Sequence, residues 1–255
     1  MAAKAIVTGA SGGLGWEFAQ LLAQAGYDLV LIARSETKLE ANASTIRAKF
    51  GINADVIALD LSLPGASQTI FERVPECDVL VNNAGFANNG KFAQLSEETI
   101  SSEVNLNVVA LTELTRLYLP GMLASGSGRI MNVASTAGFL PGPNMAVYYA
   151  TKAYVISFSE ALAEEVRGTG VSVTVLCPGA TETGFADRAK VHTTRLFLAP
   201  KADAASVARA GIAGMMRGKR IVIPGVMNKL VAFSPKISPR GFLVWLSGKL
   251  VERRS

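Results

Sequence analysis

Residues 5–15 read A-I-V-T-G-A-S-G-G-L-G, and this stretch decides the fold. A short apolar strand, Ala5 to Thr8, runs directly into a glycine-rich turn, and a helical segment follows. In such a unit Gly9 permits the turn, Gly13 lets the backbone approach a pyrophosphate, and Gly15 lets helix and strand pack closely. The helix N-terminus then presents free N–H groups to the anion. The stretch therefore predicts the first strand of a nucleotide-binding α/β sheet.

Strands and helices alternate through the rest of the chain, and no change in composition marks a second domain. The pattern predicts further strands at 28–32, 54–59, 79–81, 129–134, 171–177 and 221–223, and helices at about 36–50, 96–123, 148–167 and 202–216. Such alternation is typical of a parallel sheet. We expect one domain over residues 1–255, a Rossmann-type doubly wound parallel sheet of about seven strands with helices on both faces.

Composition narrows the class of protein. Apolar residues make up 49% of the 255 residues and charged residues 18%, which suits a domain with a large core. No apolar run reaches the length of a membrane span, and the N-terminus lacks signal-peptide organisation. Cys77 and Cys177 lie in or beside apolar strands, so we expect reduced core cysteines in a cytoplasmic protein. With His192 as the only histidine and no paired cysteines, we expect no metal site.

The net charge of +5 is unevenly distributed. Residues 217–255 carry nine Lys and Arg and one acid, a net +8, so the remaining 216 residues carry −3. A basic tail on a mildly acidic body does not indicate a nucleic-acid-binding protein. The tail also mixes apolar residues, among them Phe233, Phe242 and Trp245, with its bases. It is either a helix that contacts an anionic membrane or a pocket wall docked on the body or a partner subunit, and we favour the second.

The end of the second strand bears on the choice of cofactor. In dinucleotide-binding folds this point faces the adenosine ribose, where an acid binds the 2′-hydroxyl and an arginine accommodates a 2′-phosphate. Here the strand ends in Ala33-Arg34-Ser35, without an acid. Arg34 therefore favours NADP(H) over NAD(H). Asp60, at the end of the third strand, either accepts a hydrogen bond from the adenine or caps the following turn.

A chemically useful grouping occurs at residues 129–152. Ser135 ends an apolar strand, and Tyr148 and Lys152 follow four apart on a helix, so the phenol and the ammonium share one face. A nearby cation favours phenolate and lowers the tyrosine pKa from its usual value of about 10. Tyr148 could then act as a general acid–base, while Ser135 holds the same substrate oxygen.

Taken together, these motifs make the chain similar to the classical short-chain dehydrogenases/reductases over about residues 4–225. They are T-G-x-x-x-G-x-G at 8–15, D-L at 60–61, N-N-A-G at 82–85, Ser135, Y-x-x-x-K at 148–152 and P-G-x-T-x-T at 178–183. Several separated motifs in the right order are more specific than any one alone. The absence of an acid after the second strand resembles the NADP-preferring members, and the chain also resembles a bacterial oxidoreductase subgroup.

The resemblance implies a catalytic tetrad and a set of cofactor contacts. The tetrad would be Asn107, Ser135, Tyr148 and Lys152, with Asn105 as the alternative asparagine. The asparagine carbonyl would hold a water for Lys152, which would also bind the nicotinamide ribose, and Thr183 would hold the carboxamide. The expected cofactor-binding residues are Gly9, Ser11, Gly13, Leu14, Gly15, Arg34, Asp60, Leu61, Asn83, Ala84, Gly85, Tyr148, Lys152, Pro178, Gly179, Thr181 and Thr183.

These observations predict reversible hydride transfer between NADP(H) and a carbonyl or alcohol. The alternatives are a non-catalytic NADP-sensing protein and a membrane-surface reductase of a lipid-like ketone. Apolar residues in the loops after the fifth and sixth strands, such as Phe139, Leu140 and Phe185, indicate an apolar small-molecule substrate. Residues 184–200 are expected to form a lid. The resemblance also implies a homodimer or homotetramer packed through the helices near 96–123 and 148–167.

Overall fold

The computed structural model describes residues 2–185, 189 and 201–252. Its centre is a seven-stranded sheet, parallel throughout, in the order β3-β2-β1-β4-β5-β6-β7. The strands are β1 (Lys4–Thr8), β2 (Asp28–Ala33), β3 (Ala54–Ala58), β4 (Val79–Asn82), β5 (Gly128–Val133), β6 (Val171–Leu176) and β7 (Ile221–Val222). The predicted doubly wound parallel sheet is confirmed.

The central strands are apolar on both faces because helices cover both faces of the sheet. Successive strand residues point to opposite sides. On β1, Val7 joins a core with β2 residue Leu31, whereas Ile6 joins a separate core with Val30 and Ile32. This two-sided burial explains why the strands read as continuous apolar runs rather than as alternating patterns.

The helices divide between the two faces. Those that pack on the first core are α1 (Gly13–Gln24), α2 (Glu36–Phe50) and α7 (Ala204–Met216). The opposite core receives α3 (Ala66–Arg73) and α5 (Leu111–Ser125), and α6 (Ala146–Glu165) packs along β6 and β5. Two further helices, α8 (Val226–Phe233) and α9 (Arg240–Val251), form the C-terminal segment. None of the described helices combines the length and hydrophobicity needed to cross a bilayer.

Two helical regions differ from the sequence-based expectation. Helix α3 lies where the sequence analysis predicts no element. The single helix expected over 96–123 consists of α4 (Glu97–Val104), a π-helical segment Asn105–Ala110, and α5. A π turn widens the helix locally and occurs frequently at functional sites. Here it carries both candidate asparagines.

The strand order fixes where a ligand can bind. The sheet grows in one direction from β1 to β2 and β3 and in the other from β4 onward, so the order reverses between β1 and β4. In open α/β sheets the crevice at such a reversal, beyond the carboxyl ends of the strands, is the ligand site. The glycine turn leaves β1 at this point, and the N-N-A-G loop leaves β4 beside it.

Candidate active site

Thr8 ties the glycine turn to the loop after β4. Its hydroxyl donates to the carbonyl of Val81 at 3.2 Å and accepts from the backbone N–H groups of Asn83 and Ala84, each at 2.9 Å. The side-chain amide of Asn83 in turn donates to the carbonyl of Thr8 at 2.8 Å. Thr8 is buried, so these bonds are shielded from water. They hold two of the predicted cofactor-binding loops in one rigid unit.

The glycine turn fits the pyrophosphate that the sequence predicts for it. A Cβ at Gly15 would overlap the carbonyl oxygen of Gly9 and lie 2.7 Å from Nδ2 of Asn83, so the turn is closed on that side. A Cβ at Gly13, where φ is +55°, would come within 3.1 Å of the Thr183 side chain. Around Gly12 there is open space. Helix α1 has no acidic residue in its first turn, so its N–H groups are suited to an anion.

Arg34 and Asp60 lie together at the ends of β2 and β3. Nη1 of Arg34 is 3.8 Å from Oδ2 of Asp60, and the Arg34 side chain is 65% exposed. The other carboxylate oxygen of Asp60 accepts from the backbone N–H and the hydroxyl of Ser62, at 2.9 and 2.7 Å. Asp60 therefore caps its own turn, which was one of the two roles predicted for it. Because exposed ion pairs are weak, Arg34 stays available to an anionic group.

Asn107 packs against the loop after β4, whereas Asn105 is only half-buried on the same π turn. The Asn107 amide donates to the carbonyl of Phe86 at 2.8 Å, and its Oδ1 accepts from the Phe86 N–H at 3.1 Å. A Cβ on Gly85 would come 3.1 Å from this oxygen and 3.5 Å from Nζ of Lys152. The side chain of Asn107 thus positions the loop beside Lys152.

Ser135 and Tyr148 meet, but the pKa of the phenol differs from the expectation. Burial raises the pKa of Tyr148 above its ordinary value, and a hydrogen bond with Ser135 only partly offsets this. The predicted net lowering of the Tyr148 pKa is therefore wrong for this structure. The physical reason is that the phenol itself is buried, which disfavours its charged form, and burial likewise lowers the pKa of Lys152 to about 8. Tyr148 is a neutral phenol at pH 7, which is a proton donor.

Lys152 is held under the phenol by the end of β5. Its Nζ donates to the carbonyl of Val133 at 2.8 Å and lies 5.7 Å from the centre of the Tyr148 ring. Helix α6 carries both residues, and the hydroxyl of Thr151 between them accepts from the Asn107 amide at 3.2 Å. The four predicted tetrad residues are therefore brought together by β5, α6 and the π turn.

Glu103 is a buried carboxylate near this group that sequence reasoning missed. It is 1% exposed, and its Oε2 accepts from the Asn88 amide at 2.8 Å. Its Oε1 has no hydrogen-bond partner among the described residues, and Glu103 is one of the residues that line a cavity of about 50 Å³. Burial raises the pKa of Glu103, while its charge raises the pKa values of Tyr148 and Lys152. A glutamate one helical turn before Asn107 was the available signal.

A buried polar chain beneath the site also escaped prediction. The Asn82 amide donates to Thr115 at 3.1 Å and to Asn132 at 2.9 Å, and Asn132 donates to the hydroxyl of Ser159 at 2.9 Å. Asn82 and Asn132 are register partners on β4 and β5. These bonds fasten α5 and α6 to the sheet. Two asparagines at equivalent positions of neighbouring strands were the signal for this network.

The remaining predicted contacts divide between the crevice and the core. Leu61 is buried in one core, and Leu14 is partly buried against the other. Thr181 is buried and its hydroxyl donates to the carbonyl of Gly179 at 3.0 Å, and Pro178 accepts from Ser135 at 3.4 Å. Ser11 is half-buried on the glycine turn. The predicted lid lies outside the described residues except for 184, 185 and 189.

Comparisons with known proteins agree with this geometry. The family model described as "short chain dehydrogenase" matches residues 3–193. The chain is 39% identical to the ketoacyl reductase HetN of Nostoc sp. over 212 residues, which are 80% of this chain and 74% of HetN. It is 37% identical to the very-long-chain 3-oxoacyl-CoA reductase of Rattus norvegicus over 192 residues, which are 71% of this chain but only 60% of that protein.

Solved structures of the same fold also match this chain. A short-chain dehydrogenase from Sphingobium yanoikuyae in complex with NADPH has a TM-score of 0.84 and 32% identity, covering 92% of this chain and 93% of that one. A bulky-bulky ketone specific alcohol dehydrogenase from Comamonas testosteroni has a TM-score of 0.79 and 30% identity, covering 89% and 90%. The family model spans well over half of the chain. This chain therefore belongs to the short-chain dehydrogenase family of oxidoreductases.

Proposed function

We propose that this protein is an NADP(H)-dependent reductase of a ketone carried on an apolar chain, with a 3-oxoacyl thioester as the substrate class. The observation that carries the proposal is the meeting of Ser135, Tyr148 and Lys152 beside Gly85 and the glycine turn. A phenol that is neutral at pH 7 suits reduction, because reducing a ketone to an alcohol consumes a proton. The same groups run the reverse reaction when the phenol is ionised.

Each residue has a distinct task in this scheme. The bound nicotinamide nucleotide supplies the hydride. Ser135 and Tyr148 hold the substrate oxygen, and Tyr148 delivers its proton to that oxygen as negative charge develops. Lys152 stabilises the phenolate that remains, and Asn107 keeps the loop at Gly85 against Lys152. The cofactor phosphates are assigned to the glycine turn, with Arg34 for a 2′-phosphate.

The substrate class rests on the relatives and on the apolar residues around Tyr148. Tyr148 packs with Met145, Tyr149 and Ala87, and Leu140 and Phe185 pack against this cluster. The ring of Phe185 is 5.4 Å from that of Tyr148. Such a wall offers no charged partner to a compact polar ketone and gains by burying an alkyl chain. Relatives that act on ketoacyl and 3-oxoacyl-CoA substrates are consistent with it.

A depletion assay tests the proposal directly. NADPH absorbance is followed with short and long 3-oxoacyl-CoA substrates, a bulky aryl ketone and a compact polar ketone, each repeated with NADH. The proposal predicts NADPH consumption and a kcat/KM that rises with acyl chain length. Rates that are equal for the polar ketone and the long acyl substrate would contradict the substrate class. Binding of NADPH without turnover of any substrate would favour a sensing role.

Replacing Arg34 by glutamine is expected to raise the KM for NADPH about 10- to 100-fold and to leave the KM for NADH nearly unchanged. A hydrogen bond between a guanidinium and a phosphate is charge-assisted, and losing it costs about 1.5–3 kcal/mol. Steady-state kinetics with both cofactors measure the change. Lys49→Gln, which neutralises an exposed base at the far end of α2, is the matched control. An equal loss for NADH would show that Arg34 does not select the 2′-phosphate.

Replacing Glu103 by glutamine is expected to move the alkaline limb of the reduction rate to lower pH. The Glu103 carboxylate stabilises the protonated forms of Lys152 and Tyr148, so removing its charge lowers both pKa values. The proton donor is then lost at a lower pH as pH rises. Profiles of kcat against pH for the parent, Glu103→Gln and the exposed control Glu98→Gln measure the effect. A shift to higher pH, or the same shift in the control, would contradict this electrostatic role.

We further propose a cytoplasmic homodimer or homotetramer that packs through α4, α5 and α6. Exposed apolar side chains support it, because Leu123 on α5, Tyr154 on α6 and Val109 on the π-helical segment are all more than a third exposed. An open apolar cleft between α4 and α6, which includes Val104, Val108 and Tyr154, adds to this surface. Apolar helix faces of this kind are typical of subunit interfaces.

A further inference from the structure

Most of the large apolar side chains that are exposed in the described part of the chain lie in its C-terminal segment. Fifteen large apolar side chains are exposed in the described part of the chain, and ten of them lie between residues 226 and 250. We call these ten residues the tail patch: Val226, Met227, Leu230, Phe233, Ile237, Phe242, Val244, Trp245, Leu246 and Leu250. Scattered apolar residues on a surface are ordinary, but a contiguous group marks an interaction site.

Helix α8 presents its apolar side chains to the solvent rather than to the body of the protein. Its exposed apolar residues Val226, Met227, Leu230 and Phe233 fall within about a third of the helix circumference. The opposite side faces the body through a polar residue, since the side chain of Asn228 packs against Gly179. No residue of α8 is buried. An amphipathic helix normally buries its apolar stripe, so here the stripe is presented outward.

Helix α9 docks on the body through one narrow stripe and leaves its other apolar residues exposed. The buried residues are Leu243, Ser247 and Val251, spaced four apart, and the Ser247 hydroxyl donates to the carbonyl of Pro141. Phe242 and Trp245 remain 50% and 59% exposed, with their ring centres 5.9 Å apart. Docking on the body therefore fixes the helix without covering its outer apolar side chains.

The positive charge around the tail patch indicates which kind of partner it can bind. Four exposed bases are interleaved with the tail patch: Lys229, Lys236, Arg240 and Lys249. Lys236 lies 5.8 Å from the centre of the Phe233 ring, so charge and apolar surface are intimately mixed. In a symmetric contact with a second copy, these bases would face the same basic patch on the other copy, and the like charges would repel each other. An anionic, apolar surface complements both properties at once.

We propose that the tail patch docks on a bilayer containing anionic phospholipids, with its aromatic residues at the headgroup boundary and its bases on the lipid phosphates. The patch borders the loop that follows Ser135, because α9 packs on Pro141 and Pro143. Docking would thus place the loop of the candidate site near the lipid. The inference does not depend on the reaction, since it rests on exposure and charge alone.

Vesicle flotation of the full chain tests the docking. We expect recovery with phosphatidylcholine/phosphatidylglycerol vesicles to exceed recovery with phosphatidylcholine alone about fivefold or more, and to fall in high salt. Trp245 supplies a second readout, because Trp16 is the other tryptophan. In a Trp16→Phe variant, the emission should shift to shorter wavelength with anionic vesicles. Parent protein that stays out of the anionic vesicle fraction would overturn the proposal.

Matched variants separate the contribution of the apolar side chains to vesicle binding from that of the basic side chains. Leu230→Asp/Trp245→Asp should abolish flotation, whereas Leu63→Asp, at a residue as exposed as Trp245, should not. Lys229→Glu/Lys236→Glu should reduce it about fivefold or more, whereas Lys38→Glu/Lys49→Glu, with the same change in net charge, should not. Equal losses in the controls would overturn the assignment to the tail. A change of oligomeric state in light scattering, without vesicle binding by the parent, would identify a second copy as the occupant instead.

Discussion

Tyr148→Phe is expected to lower kcat about a thousandfold or more while leaving the NADPH dissociation constant within about twofold of the parent. A positioned general acid contributes about 10²–10⁴-fold, and no other described hydroxyl with a hydrogen bond to Ser135 is available to replace it. The substitution removes one atom from a side chain that is 8% exposed and packed between aromatic rings. Stopped-flow reduction and NADPH fluorescence titration measure the two quantities separately.

The neighbouring tyrosine provides the control for this variant. Tyr149 is 6% exposed, on the same helix, and its ring is 6.2 Å from that of Tyr148 in an edge-to-face contact. Tyr149→Phe removes the same atom from an equally buried site and should keep most of the activity. If Tyr148→Phe reduced a confirmed substrate at the parent rate, Tyr148 would not be the proton donor. If both variants failed alike, the loss would reflect packing rather than proton transfer.

The sequence predicted the parts of the site that depend on short-range spacing. A spacing of four positions places Tyr148 and Lys152 on the same face of one helix. The end of the preceding strand places Ser135 near them. The glycine spacing at 9, 13 and 15 also has a local cause, because Gly9 and Gly13 have positive φ and a Cβ at Gly15 would overlap the carbonyl oxygen of Gly9. The parallel arrangement of the sheet follows from the alternation of strands and helices, whereas the order of the strands comes from the structure.

What could not be predicted depends on the surroundings of each group. Helical spacing indicates that Lys152 lies near Tyr148, but not that both are buried, and burial decides the direction of both pKa shifts. The π turn carries Asn107, whose hydrogen bonds reach Phe86 and Thr151, far away in the sequence. A helical pattern predicts the amphipathic character of α8 but not which side faces the body, which Asn228 decides through its contact with Gly179.

Gly15→Ala is expected to disable the cofactor site through the backbone rather than through any catalytic group. The new Cβ would overlap the carbonyl oxygen of Gly9 and lie 2.7 Å from Nδ2 of Asn83, so the turn and the loop after β4 must separate. Overpacking of this kind costs about 1–3 kcal/mol of stability. In a protein of this size that corresponds to a fall in Tm of about 2–10 °C. Because the same shift moves the N–H groups that face the phosphates, we expect NADPH affinity to fall about tenfold or more.

Gly12→Ala is the control for this prediction, because it adds a methyl group to the same turn without the close contact that Gly15 makes with Gly9. Gly12 lies in the same turn with an extended φ of 169°, and a Cβ there meets nothing within 4 Å. It should therefore retain the parent Tm in the absence of cofactor. Differential scanning calorimetry and fluorescence titration of the two variants compare them directly. If Gly15→Ala matched Gly12→Ala in both measurements, the contact of α1 with Gly9 would not be what shapes the phosphate site. If Gly12→Ala lost NADPH affinity at an unchanged Tm, the cofactor itself would occupy the open side of the turn, because no atom of the described residues beyond the adjoining backbone lies within 4 Å of the added methyl group.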